Sequence, residues 1–104
     1  MAYKMYILIK DSVDIGHALL ACAHGSLSCY LRTPEFRHWW DLYMQSFRKV
    51  VCKVTDKEFE KAKTYIDCHY IIVTESGLND METALVFVPR GEWPEFFKSL
   101  KLYK

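Results

Sequence analysis

A group of polar side chains follows the apolar segments that the sequence predicts as strands. Residues 10–12 come directly after the first segment, Thr74 and Glu75 come after the third, and His17 opens the first predicted helix. A histidine side chain titrates close to neutral pH, so it can act as an acid or as a base. Ligands of α/β sheets collect beyond the carboxyl ends of parallel strands. This spacing therefore predicts a functional site at that edge of the sheet, where the N–H groups of a helix start can also bind an anion.

The elements that must position this group follow from the hydrophobic pattern. Apolar runs predict four strands, at residues 5–9, 50–54, 69–73 and 83–88. Helices are predicted at residues 17–31, 33–46, from 56 onward and 94–99. Strand–helix–strand connections favour parallel neighbours with right-handed crossovers. We therefore expect an α/β fold, a three-layer α/β/α structure with a small four-stranded mixed sheet, in a single domain over residues 1–104.

The first predicted helix combines leucines at helical spacing with many small residues. Leu20, Leu27 and Leu31 recur along it, and Asp14 is placed to cap its start. The small residues would let the helix lie close to a sheet. Gly25 costs about 1 kcal/mol inside a helix, so we expect a packing reason for it. His24 lies two turns beyond His17 and is interpreted as a packed helix residue.

Aromatic residues crowd the second predicted helix. Trp39, Trp40 and Tyr43 lie at close spacing, which favours packing in the core or at a dimer interface over stacking on bases. Adjacent residues of a helix cannot face the same way, so one tryptophan should lie on a more exposed face. The third predicted helix opens with the capping box Thr55-Asp56-Lys57-Glu58 and should carry Phe59, Ala62, Tyr65 and Ile66 on one face.

Composition and charge narrow the possible classes of protein. The chain has 104 residues, 51% of them hydrophobic and 26% charged, which is typical of a globular domain and excludes disorder. The net charge is +1, so contact with nucleic acid would need a local basic patch. The longest apolar run, residues 18–23, is far shorter than the roughly 20 residues that span a bilayer, and no membrane association is expected.

The four cysteines have no metal-ligand spacing. Cys22, Cys29, Cys52 and Cys68 form neither a Cys-x-x-Cys pair nor a ladder with histidines, so a zinc site is not expected. Free thiols and the absence of a secretory signal pattern in this sequence favour a cytoplasmic protein.

Several segments, in order along nearly the whole chain, form one pattern. They are KMYILIK at 4–10, Gly16, ACAHG at 21–25, RKVVCKV at 48–54, TESG at 74–77, TALVFVP at 83–89 and LKLY at 100–103. This pattern resembles the type-II peptidyl-tRNA hydrolases. Members of that family open with Lys-Met, an apolar strand and a basic residue, followed by a Gly-Lys-Gly-Lys turn and a helix with Ala-Ala-Gln-x-x-His. The chain departs from the family because that turn is shorter and its catalytic-type lysine is missing.

The resemblance implies an activity, the hydrolysis of the ester that joins a peptide to the 3′ ribose of tRNA. The implied catalytic residues are His17, Glu75 and Thr83. His17 falls nearest to the missing lysine and would act as acid, base or hydrogen-bond donor. Glu75 replaces the family's aspartate and would serve as the base or hold it. Thr83 aligns with one of the family's threonines and would position water or the ester carbonyl.

The resemblance also implies partners. The tRNA acceptor end would be bound, with Lys10, Arg48 and Lys49 as candidate phosphate contacts, and a homodimer is expected. Neither the residues nor the resemblance predicts a metal or an organic cofactor.

Other interpretations stay open. His17 is equally consistent with a solvated first-turn residue, Glu75 with a loop acid and Thr83 with a strand residue chosen for its β propensity. The missing lysine favours an alternative function, a non-catalytic tRNA- or protein-binding module that kept the fold and lost the activity. A third hypothesis is a hydrolase of small molecules that uses the cleft formed by the same candidate site residues.

Overall fold

A computed structural model describes residues 2–104 of the chain. Its helices are α1 (Ile15–Arg32), α2 (Arg37–Ser46), α3 (Asp56–Ala62) and α4 (Glu95–Lys98). Its strands are β1 (Lys4–Lys10), β2 (Arg48–Val54), β3 (Tyr70–Glu75) and β4 (Met81–Phe87). Short 3-10 turns at Pro34–Phe36 and Ser76–Leu78 precede α2 and β4. The predicted order of elements is confirmed. The largest boundary differences are in two helices, since α2 begins at Arg37 instead of residue 33 and α3 ends at Ala62, before Tyr65 and Ile66.

The sheet is mixed, as the sequence predicts. The strand order is β2-β1-β4-β3. β1 and β2 pair in parallel, whereas β4 pairs antiparallel with both β1 and β3. β3 therefore runs in the same direction as β1 and β2, although β4 separates it from them. The carboxyl ends of these three strands consequently lie at one edge of the sheet.

Each face of the sheet is covered by helices, which gives the three layers. One hydrophobic cluster contains Met5, Ile7 and Ile9 of β1 with residues of α1 and α2. The other contains Tyr6 and Leu8 with residues of α3, α4 and the chain beyond them. Alternate residues of β1 thus enter opposite clusters, so both faces of the central strand are buried. This explains why β1 is a continuous apolar run.

α1 packs on the sheet through its small residues. Its buried side is Ala18, Ala21, Gly25 and Cys29. A Cβ on Gly25 would lie 2.6 Å from Val86 Cγ2, which confirms that a packing contact requires this glycine. The leucines face outward, with Leu27 61% and Leu31 65% exposed. A helix this close to a sheet has no room for leucine between the two, so the leucines of α1 lie on the side that faces away from the sheet.

The two adjacent tryptophans of α2 face different ways, as expected. Trp40 is buried and its indole N–H donates to the Thr33 hydroxyl at 2.9 Å. Trp39 is partly exposed and stacks on Phe36, with ring centroids 5.0 Å apart. His24 is exposed on α1, so its interpretation as a packed residue is wrong.

The capping box of α3 is confirmed, but the helix is shorter than its apolar pattern suggests. Thr55 accepts from the Glu58 N–H, and the Glu58 carboxylate accepts from the Thr55 N–H. The helix ends at Ala62, and the chain turns as the Thr64 N–H donates to the Lys61 carbonyl at 3.0 Å. Ile66 lies beyond that turn and is 86% exposed, so its predicted place on the buried face is wrong.

All four cysteines are free thiols in the structure. Burial raises the pKa of the Cys29 thiol to about 12 and that of Cys52 to about 11. Thiols with such raised pKa values are protonated and unreactive at neutral pH. Within residues 2–104, none of the helices is both long and apolar enough to cross a bilayer.

Candidate active site

Two segments meet at the edge where β1, β2 and β3 end. β1 ends at Lys10 and leads into α1, while β3 ends at Glu75 and leads through a 3-10 turn to β4. The two segments approach each other closely, since a Cβ built on Gly77 would lie 3.7 Å from Nε2 of His17. The start of α1 and the acidic corner after β3 therefore form one rim.

His17 and Asp14 form a hydrogen-bonded pair at the start of α1. Asp14 is the N-cap, with extended backbone, and its Oδ2 accepts from the His17 backbone N–H at 3.2 Å. Its Oδ1 lies 2.6 Å from His17 Nδ1. An ionised carboxylate can only accept hydrogen bonds, so Nδ1 carries the proton in this pair. In the neutral ring Nε2 is then the atom with the free lone pair, and it is the atom that faces Gly77.

The electrostatics of the pair favour an ionised aspartate. The side-chain hydrogen bond from His17, followed by the bond from its backbone N–H, lowers the pKa of Asp14. The side chain of His17 is 31% exposed and that of Asp14 is 60% exposed, so the pair is open to water and to a ligand. An oriented imidazole with its second nitrogen in the rim can accept a proton from water.

The acidic corner is held by backbone hydrogen bonds. The Asp80 N–H donates to the Glu75 carbonyl at 2.9 Å, and the Asn79 N–H donates to the Ser76 carbonyl at 3.3 Å. Asn79 and Asp80 both adopt positive φ, at 56° and 59°. Asn and Asp tolerate this left-handed region better than most residues, which suits them to the tight return into β4. Glu75 is partly buried at the last position of β3, and its carboxylate belongs to this corner together with that of Asp80.

Thr83 lies beneath this edge and is 1% exposed. Val73 pairs with Ala84 and Thr74 with Glu82, so Thr83 is an extra residue of β4, a β-bulge. Its hydroxyl donates to the Val73 carbonyl at 3.2 Å. The Thr83 hydroxyl thus contacts the backbone of β3, and its hydrogen bond stabilises the pairing of β3 and β4 near this edge of the sheet.

The three candidate phosphate contacts do not share a surface. Lys10 ends β1 at the same edge as His17, but its ammonium lies 4.7 Å above the Phe59 ring in the α3 layer. Arg48 and Lys49 begin β2, opposite Lys4 and Met5 of β1. They therefore lie at the other end of the strands, and only Lys10 is near the rim.

Sequence reasoning missed the role of Asp14 and a second polar cluster. Asp14 was predicted only as a cap, although a histidine three residues after an N-cap aspartate is the spacing that brings the two side chains together. Lys63 at the end of α3 donates to Glu82 at 2.8 Å and to Glu60 at 3.0 Å. No local signal pairs Lys63 with Glu82, because they lie 19 residues apart.

The comparisons with known proteins assign no family. No protein-family model matches the chain, and no curated protein matches it. Within residues 2–104, no group of three or more His, Cys, Asp or Glu side chains is arranged to hold a metal ion. A function is therefore inferred from the geometry of the rim and from the sequence motifs.

Proposed function

We propose that the protein hydrolyses the ester bond of peptidyl-tRNA, or of N-blocked aminoacyl-tRNA, to give free peptide and tRNA. The observation that carries the proposal is the Asp14–His17 pair, whose Nε2 atom faces the corner that follows Glu75. The ordered motifs shared with the type-II peptidyl-tRNA hydrolases supply the substrate class. His17 takes the place of the lysine that this family carries near the same turn.

The reaction needs a base and a site for the oxyanion. Nε2 of His17 takes a proton from water as the water oxygen attacks the ester carbonyl, and Asp14 stabilises the imidazolium that forms. The same proton then passes to the departing 3′ oxygen of the ribose. Backbone N–H groups of the first turn of α1 have no intrahelical acceptor, so Ile15 and Gly16 are candidates to stabilise the oxyanion. Glu75 is the candidate to orient the water from the opposite side of the rim.

The activity is tested with purified protein and tRNA charged with a radiolabelled N-acetyl amino acid. The expected result is release of the labelled amino acid at a rate proportional to protein concentration. A Glu75→Gln variant should release it about 10 to 100 times more slowly, because the carboxylate would no longer orient the attacking water. Release no faster than in buffer would contradict the proposal.

Two observations favour the alternative of a non-catalytic binding module. Thr83 is buried and hydrogen-bonded to a neighbouring strand, and the ammonium of Lys10 lies above Phe59 rather than beside His17. A binding module would retain tRNA affinity that falls steeply as salt rises, because phosphate contacts displace counterions. Saturable tRNA binding at low salt without ester cleavage would select this alternative.

The expected setting of the activity is the cytoplasm, with the tRNA acceptor end as partner. A homodimer stays a proposal. It is supported by the outward leucines of α1, among them Leu19 at 64% and Leu27 at 61% exposed. Sedimentation equilibrium of the purified chain measures the oligomeric state directly.

A further inference from the structure

A second charged cavity lies at the opposite edge of the sheet from His17. Its volume is about 520 Å³, and its lining includes Lys4, Arg48, Glu92, Trp93 and Lys98. Lys4 and Arg48 are the first residues of β1 and β2, whereas His17 follows the last residue of β1. Seven residues of strand span about 20 Å, so this cavity is separate from the proposed active site.

The cavity concentrates positive charge. Three cationic side chains and one acidic side chain line it, although the whole chain carries a net charge of only +1. Among residues 2–104, neither Lys4 nor Arg48 forms an ion pair. Lys98 has only a long contact of 4.0 Å with Glu95, and both of these side chains are mostly exposed. The Lys4 ammonium lies 5.5 Å from the centroid of the Tyr6 ring, but neither Lys4 nor Arg48 has a carboxylate partner among the described residues.

The two strand cations occupy adjacent positions on neighbouring strands. Lys4 and Arg48 are register partners on neighbouring parallel strands. Like charges at such positions repel and destabilise a sheet. An anion bound between them would convert the repulsion into two favourable contacts, which gives this unfavourable arrangement a function.

The backbone beneath these cations is fixed. The indole N–H of Trp93 donates to the Lys4 carbonyl at 3.2 Å, and that carbonyl also accepts from the Arg90 N–H at 3.2 Å. Lys4 N–H donates in turn to the Arg90 carbonyl at 3.2 Å. Trp93 is itself 5% exposed, so the wall of the cavity is part of the core. Lys4 is thus presented from a rigid support.

We propose that this cavity binds a phosphate group. A guanidinium that can bind two oxygens at once, together with two ammonium groups, suits a phosphate dianion better than a carboxylate. A free phosphorylated compound and an RNA backbone present the same phosphate chemistry to the cavity. The inference is independent of the proposed ester hydrolysis, because no residue of the rim takes part in it.

The test is a titration with inorganic phosphate at constant ionic strength, followed through the backbone N–H of Gly91 and the indole N–H of Trp93 in ¹H–¹⁵N spectra. Gly91 and Trp93 both line the cavity, and the indole N–H of Trp93 donates to the carbonyl of Lys4, so both signals should shift saturably. Arg48→Gln should weaken binding about tenfold, the effect of losing one charge-assisted hydrogen bond. Lys98→Gln, which alters α4 rather than the sheet, should weaken binding in the same direction.

Lys49→Gln is the matched control. Lys49 adjoins Arg48 and carries the same charge, but its ammonium lies 4.9 Å above the Phe47 ring and 5.6 Å above the Tyr43 ring, in the α2 layer. This variant should keep phosphate affinity within about twofold, because only an exposed, distant charge is lost. Equal weakening by Arg48→Gln and Lys49→Gln would overturn the proposal, as would phosphate shifts that never saturate.

A short single-stranded RNA distinguishes the two sources of phosphate. If RNA shifts the Gly91 and Trp93 signals and inorganic phosphate competes with it, the cavity binds a nucleic-acid backbone. If phosphate alone shifts them, the ligand is a free phosphorylated compound. The shifts are measured without ester cleavage and the cleavage assay without the shifts, and no residue of the rim lines the cavity, so failure of this inference is distinguishable from failure of the proposed function.

Discussion

Asp14 Oδ1 lies 2.6 Å from Nδ1 of His17, and the opposite ring nitrogen faces the turn that follows Glu75. One aspartate thus performs two tasks, since it caps α1 through the His17 N–H and orients the His17 ring. The same contacts that start the helix also set the direction of the candidate base. The proposed reactivity is therefore coupled to local helix geometry.

The pKa of the Asp14 carboxyl group is a direct measure of its hydrogen bonds with His17. Because the hydrogen bonds from His17 lower its pKa, the carboxyl group should titrate below the usual range of aspartates. A lowered pKa means that the stabilisation is present above the unfolded-state pKa and is lost as pH falls through the folded-state value. Carbon-13 titration of the Asp14 carboxyl should give a low midpoint that rises in His17→Ala. A midpoint unaffected by His17→Ala, or moved equally by the control His24→Ala, would contradict the pairing.

Gly25 should be the least replaceable small residue of α1. A Cβ there would lie 2.6 Å from Val86 Cγ2 and 3.0 Å from Val73 Cγ2, and branched side chains cannot easily move aside. We expect Gly25→Ala to lower the free energy of unfolding by about 1 to 2 kcal/mol, because overpacking outweighs the gain in helix propensity. Urea denaturation measures this.

Relief of the Gly25 contact supplies the control. In a Val86→Ala background the nearest clashing methyl is gone, so Gly25→Ala should cost less there than in the wild-type chain. An equal cost in both backgrounds would show that the close contact with Val86 is not the cause.

The ion pair of Lys63 with Glu82 should contribute more stability than its pair with Glu60. Burial alone would lower the pKa of Lys63, but hydrogen bonds from Lys63 to Glu82 and Glu60 raise it. The Glu82 side chain is 38% exposed, against 63% for Glu60. We expect Glu82→Gln to reduce the free energy of unfolding by about 1 kcal/mol and Glu60→Gln by less, since exposed pairs are screened by water. A larger loss in Glu60→Gln than in Glu82→Gln would contradict this ranking of the two ion pairs.

Much of the fold could be predicted because its signals are local. The capping box at Thr55, the cap at Asp14 and the continuous apolar run of β1 all depend on residues close in sequence. The small side chains around Gly25 predicted close packing on the sheet, and the structure confirms it. The helical spacing of the leucines did not indicate which side of α1 is buried, since spacing alone cannot tell which apolar stripe of a helix is covered.

The candidate site was only partly predictable because strand pairing is not local. Placing His17 and Glu75 at one edge needed only the direction of the strands. The bulge at Thr83 depends on the pairing of β3 with β4, in which a shift of one residue changes the side a residue faces. That shift buries Thr83, and no feature of its own neighbourhood indicates this.

We propose His17, oriented by Asp14, as the base of an ester hydrolysis. The most direct test compares single-turnover cleavage of N-acetyl-aminoacyl-tRNA by the wild-type protein, His17→Gln and His24→Gln, because His24 is an exposed histidine of the same helix. We expect the cleavage rate to fall by about 100-fold or more in His17→Gln and to be unchanged in His24→Gln, with tRNA affinity kept by both variants. Equal cleavage rates in the wild-type protein and His17→Gln would contradict it.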